Sequence, residues 1–96
     1  MKMVLVIYSG LNDRLVPDLF DRHHAGGWTE FRGAHGAGLS GRREGTRAWP
    51  GDASIFFSVV PTERVPDLTA SIRSSADALA PGERLHVAVL PTDSFI

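Results

Sequence analysis

No cysteine occurs among the 96 residues, which excludes disulfides, thiolate zinc sites, iron–sulfur clusters and cysteine nucleophiles together. Positive charge is not in surplus either: ten Lys and Arg face eleven Asp and Glu, for a formal charge of -1. Proteins that grip a phosphate backbone carry net positive charge, so nucleic acid is not an expected partner. Long apolar runs are also missing. Met3–Ile7 is too short for the core of a signal peptide, and nothing approaches the roughly 18 residues of a spanning helix. The expectation is a cytoplasmic protein without membrane insertion. With 43% hydrophobic and 22% charged residues the composition is globular, so a disordered tail or a fibre does not fit. The length suits one domain, residues 1–96.

What is present is a regular alternation of strand and helix patterns. Met3–Tyr8 is continuously apolar and reads as a strand buried on both faces. Asn12 is a good helix N-cap, and Leu11, Leu15, Val16, Leu19 and Phe20 follow at helical spacing until Ala25-Gly-Gly27 ends the pattern. Trp28–Arg32 reads as a strand, and Ser54–Val60 as a second central one. Thr62 is the expected cap of a second helix, with Val65, Leu68, Ile72, Ala76 and Leu79 on one stripe, closed by Pro81-Gly82. Arg84–Leu90 is the last strand. A weak repeat links the halves: Asn12-Asp-Arg then Val16-Pro-Asp-Leu19, against Thr62-Glu-Arg then Val65-Pro-Asp-Leu68. Two βαβ units predict a ferredoxin-like α+β fold, βαββαβ. Its four-stranded antiparallel sheet carries two helices on one face and a long loop between strands two and three.

That loop holds most of the unusual chemistry. Residues 26–51 contain eight of the ten glycines and the arginines Arg32, Arg42, Arg43 and Arg47. Gly36-Ala-Gly38-Leu-Ser-Gly41 matches G-x-G-x-x-G, but no helix pattern follows it to receive a pyrophosphate, so the dinucleotide fingerprint lacks its context. A segment of about fifteen residues without its own periodicity is commonly functional. Arginine forks and exposed backbone amides there suit phosphate, carboxylate or an acidic partner surface. His23 and His24 complement a helix C-terminus. His35 stands at the loop entry, and His86 alternates outward on the last strand. No histidine or carboxylate spacing supports a metal site, no acid pair stands out, and no Gly-x-Ser-x-Gly elbow occurs. Trp28 and Trp49 are expected as packing anchors at the loop base.

Met1-Lys-Met-Val-Leu-Val-Ile7, the opening Leu11-Asn-Asp, Gly27-Trp-Thr-Glu30, Arg32-Gly-Ala-His-Gly-Ala-Gly38, Ile55-Phe-Phe-Ser-Val-Val60 and Val87-Ala-Val-Leu-Pro91 recur in a familiar order. This string resembles the PII signal-transduction family, and the divergent PII-like proteins most of all. The resemblance implies a homotrimer whose T-loop, here 36–50, contacts a partner protein such as a membrane transporter or metabolic enzyme. It implies a small anionic effector, typically an adenine nucleotide, in clefts between subunits. By position, Arg32, Gly33, His35, Gly36 and Gly38 would border that cleft. Arg84 would end the turn standing for the nucleotide-gripping B-loop, and Arg42, Arg43 and Arg47 would belong to the partner-binding loop. The Thr-Gly-x-x-Gly-Asp-Gly-Lys of typical members is replaced by the bare Ala80-Pro-Gly-Glu-Arg84, and the loop has no tyrosine. The resemblance implies a regulator with no catalytic residue. Two other readings of the residues remain: a dimeric ferredoxin-like mono-oxygenase or isomerase using His35 or His86, and a metal-binding trimer similar to the CutA family.

Overall fold

The structure, a computed structural model, describes residues 1–38, 41–43 and 53–96. Its elements run β1 (Lys2–Ser9), α1 (Leu15–Arg22), β2 (Thr29–Ala34), β3 (Gly36–Gly38), β4 (Gly41–Arg43), β5 (Ala53–Val60), α2 (Val65–Asp77) and β6 (Arg84–Pro91). The main sheet has the order β2-β5-β1-β6 with every neighbour antiparallel. This is the βαββαβ architecture expected, with β3 and β4 as a separate two-stranded ribbon. The ribbon lies within the segment expected to lack structure of its own. The positions of Trp49, Arg47 and the remaining 44–50 stretch lie outside the described residues.

Both helices pack on one face of the sheet. Val4, Val6 and Tyr8 of β1 point to that face, as do Phe56 and Val60 of β5 and Leu85 of β6. They meet Val16, Leu19 and Phe20 of α1 and Leu68 and Ile72 of α2 in one core. Phe20, Trp28 and Phe56 form a ring cluster with centroids 6.1–6.4 Å apart, so Trp28 is a packing anchor as expected. Ser58 is a buried polar exception. Its hydroxyl donates to the Gly27 carbonyl at 2.6 Å, which ties the α1–β2 connection to the sheet and satisfies the group.

The other face of the sheet is open, a correction to the reading of β1 as buried on both sides. Met3 and Leu5 alternate with the core residues and are partly covered, and Ile7 is exposed, because among the described residues no helix crosses there. The pairing register brings Ile55, Phe57 and Val59 beside them, with Phe31, Ala88 and Leu90 flanking. Phe31 and Phe57 pack against each other at 5.7 Å between centroids. His86 shares this face through its pairing with Ile7.

The caps also differ from the sequence reading. α1 begins at Leu15, three residues after Asn12, and Asn12 instead makes a turn: its Oδ1 accepts the Arg14 N–H and its carbonyl accepts the Leu15 N–H, both at 3.1 Å. Leu11 therefore precedes the helix and is exposed. Thr62 opens a 3-10 turn, Thr62–Arg64, and supplies no side-chain cap. Pro17 and Pro66 fall within the first turns of their helices, where a missing N–H leaves no intrahelical bond unmade.

Candidate functional site

A pocket of about 150 Å3 opens at the end of the sheet where β1 runs into α1. It is lined by Tyr8, Gly10 and Asp13 from the β1–α1 segment, by Glu30, Arg32 and Gly33 from β2, and by Ser54 and Phe56 from β5. Local backbone geometry creates the opening. The β2–β5 ladder shifts register between Phe31 and Ala34, and Gly33 takes φ +73°, which a side chain would strain. This bulge turns Arg32 and Gly33 toward the pocket.

The charges are arranged in a definite way. Arg32 Nε donates to Glu30 Oε2 at 3.0 Å. Glu30 is only 16% exposed, so the bond satisfies a carboxylate largely withdrawn from water. The guanidinium is 69% exposed, leaving its terminal nitrogens accessible to an oxyanion. Asp13 lines the same pocket.

Tyr8 forms the floor and joins the pocket to the turn before β6. Its hydroxyl accepts the Asn12 N–H at 3.0 Å. Burial pushes the Tyr8 hydroxyl above its ordinary value of 10.0; the Asn12 bond opposes this, and the Glu83 and Asp13 carboxylates add to it. Glu83 belongs to the Ala80-Pro-Gly-Glu83 turn. Gly82 has φ +89° and the Glu83 N–H donates to the Ala80 carbonyl at 3.1 Å, a type II arrangement with Pro81 in its favoured place.

Of the residues singled out in the sequence, Arg32 and Gly33 line the pocket. His35 and Gly36 follow directly, and Gly36 and Gly38 are the ends of β3, which leads away from it. Arg84 starts β6 at the same end of the sheet, opposite Ser9. Arg42 and Arg43 are in β4, paired with Ala37 and Gly36. Tyr8, Gly10, Asp13, Glu30, Ser54 and Phe56 are pocket residues that sequence reasoning missed. Asp13 and Glu30 are acids 17 positions apart that line the same pocket, one from the β1–α1 segment and the other from β2. Among the described residues no group of three or more His, Cys, Asp and Glu is placed to hold a metal ion, and no helix is long and apolar enough to cross a membrane.

No family model matches the chain, and no curated protein does. Solved structures do. CPII, a nitrogen regulatory PII-like protein from Thiomonas intermedia K12, bound to ADP, AMP and bicarbonate, is 23% identical with a TM-score of 0.72, covering 93% of this chain and 84% of its own. CPII bound to ADP and bicarbonate is 25% identical with a TM-score of 0.68 over the same shares. A protein of Thermus thermophilus described as a PII-like signaling protein is 17% identical at TM-score 0.63, over 92% of this chain and 82% of its own.

Proposed function

We propose that this chain, which has the fold of the PII-like nitrogen regulatory proteins, is a divergent PII-like signalling protein that senses a small anionic effector. The observation that carries this reading is the pocket at the root of the glycine-arginine loop, with Arg32 and Gly33 exposed by a β-bulge. An adenine nucleotide is the favoured effector, since CPII is bound to ADP, AMP and bicarbonate. Occupation of a pocket at that point would bear directly on the arms of the loop, Gly36–Gly38 and Gly41–Arg43, and so on a partner protein docked to segment 36–50.

The assembly proposed is a homotrimer acting in the cytoplasm. Its support is the open sheet face, where Ile7, Phe31 and Leu90 are exposed beside the partly covered Met3, Leu5, Ile55, Phe57 and Val59. A contiguous apolar face of this kind on a small chain marks an interaction surface. In such an assembly the pocket would be completed by a neighbouring subunit, with His35, Gly36, Gly38 and Arg84 bordering the cleft and Arg42, Arg43 and Arg47 facing the partner. A regulatory role is favoured over catalysis because the space between sheet and helices, where a ferredoxin-like enzyme holds substrate, is filled by Phe20, Phe56, Leu68 and Ile72.

The test is calorimetric titration of ADP and AMP into the protein and into Arg32→Ala. Binding by the native chain, weakened about tenfold or more by loss of the charged hydrogen-bond donor, is expected. Failure of the native chain to bind either nucleotide would overturn the effector assignment.

A further inference from the structure

The Glu83 carboxylate spans two backbone amides from distant parts of the chain. Its Oε2 accepts the Leu11 N–H at 3.1 Å, and its Oε1 accepts the Ala80 N–H at 3.0 Å. Two converging amides that hold both oxygens of one carboxylate have the donor arrangement of an oxyanion site. Gly10 and Tyr8, which line the pocket, also close around this carboxylate: a Cβ at Gly10 would fall within 3.0 Å of both Tyr8 and Glu83. The seat and the pocket thus share a wall.

Three features make Glu83 an occupant that can leave. Both of its amide bonds are at the exposed surface. Among the described ion pairs none involves Glu83, and its one side-chain hydrogen bond is from the Tyr8 hydroxyl, which keeps the Asn12 N–H as a partner when Glu83 leaves. The turn itself is closed by the backbone bond from Glu83 N–H to the Ala80 carbonyl and by Pro81, so the Ala80 side of the seat persists when the side chain swings out.

We propose that the Leu11 and Ala80 amides form an oxyanion seat beside the pocket, and that Glu83 is its built-in competitor, displaced by a ligand carboxylate, bicarbonate or phosphate group. This deepens, and rests on, the reading of an anionic effector. The gain from displacement is set by what Glu83 holds: charged hydrogen bonds to two amides and one from the Tyr8 hydroxyl, whose loss removes a competitor worth about a tenfold change in affinity.

The experiment follows backbone amide resonances while inorganic phosphate is added to the native protein, to Glu83→Ala and to Glu83→Gln. In Glu83→Ala the Leu11 and Ala80 signals are expected to respond at about tenfold lower phosphate than in the native protein. Glu83→Gln, which keeps the side-chain length and one acceptor oxygen, should lie between them, and it decides the matter if Glu83→Ala does not fold. Leu11 and Ala80 signals that ignore phosphate in the variants, or respond no earlier than in the native chain, would overturn the proposal. ADP titrated into the same samples separates the two readings. ADP binding with no gain on losing Glu83 removes the seat and leaves the effector. Phosphate at the seat with no ADP binding in any of the proteins removes the effector and leaves the seat.

Discussion

Gly10 and Glu83 are in contact with no space for a side chain between them: a Cβ at position 10 would fall 2.5 Å from Glu83 Oε2 and closer still to the Tyr8 hydroxyl. The contact joins the end of β1 to the turn before β6, and it brings the pocket floor against the carboxylate that bridges Leu11 and Ala80.

Gly10→Ala is therefore expected to destabilise the fold by about 1–3 kcal/mol, because either the phenol or the carboxylate must leave its place. Urea denaturation measures it. Combining Gly10→Ala with Glu83→Ala should recover part of the loss, since one of the two obstructing groups is then gone.

Tyr8 is the single tyrosine of the chain, so phenolate absorbance reports it alone. Its hydroxyl is raised above 10.0, chiefly by burial. A group raised in the folded state contributes stability that is fully present below its unfolded value and is lost as pH rises through its folded one. The native protein should therefore lose stability relative to Tyr8→Phe from about pH 10 upward. Glu83→Gln should bring the absorbance midpoint down, because one of the carboxylates resisting the phenolate is removed. A midpoint at or below 10.0 in the native protein would contradict the burial of this hydroxyl.

The elements were largely legible because each depends on local pattern. The stripes Val16-Leu19-Phe20 and Leu68-Ile72 are fixed by helical spacing, and both are buried. The covering of β1 was not legible in the same way. A run of apolar residues looks identical whether its second face meets a helix or another chain, and here Met3, Leu5 and Ile7 meet no helix. Nor was the pocket legible. Tyr8 in an apolar strand reads as core, Gly10 as a strand end, and Ser54 as a strand start. Their convergence depends on the β1–β5 register, which pairs Tyr8 with Ser54, and on the bulge at Gly33. Arg32 and Gly33 were found by position, through the resemblance of Arg32-Gly-Ala-His-Gly-Ala-Gly38 to the PII-like proteins. Glu83 was passed over because an acid in a polar turn carries no signal of the two amides it will meet.

Ser58 offers a test of the core. Ser58→Ala removes a buried hydroxyl that reaches the Gly27 carbonyl at 2.6 Å and the carbonyl of buried Ala25 at 3.3 Å. A loss of about 1–3 kcal/mol is expected in thermal or urea unfolding, with the fold retained. A neutral result would mean that water replaces the hydroxyl at the exposed Gly27 carbonyl and that the bond adds nothing to the fold.

Charge placed on the open sheet face tests what that face does. Ile7→Glu puts a carboxylate on this face, between Ile55 and His86, at a position 37% exposed in the isolated chain. If this face forms the proposed trimer, the variant should be a folded monomer, seen as a smaller hydrodynamic size with an unchanged far-ultraviolet spectrum, because burying an unpaired charge at an interface is costly. Asp18→Ala on the helix side, where Arg14 and Asp18 form an exposed pair at 2.8 Å, should change neither assembly nor stability by more than about 1 kcal/mol.

Native mass spectrometry of the purified protein, alone and with ADP and AMP, tests the central claim most directly. The account predicts a species of three times the 10.4 kDa chain that gains nucleotide mass. A dimer or monomer that takes up no nucleotide would contradict it.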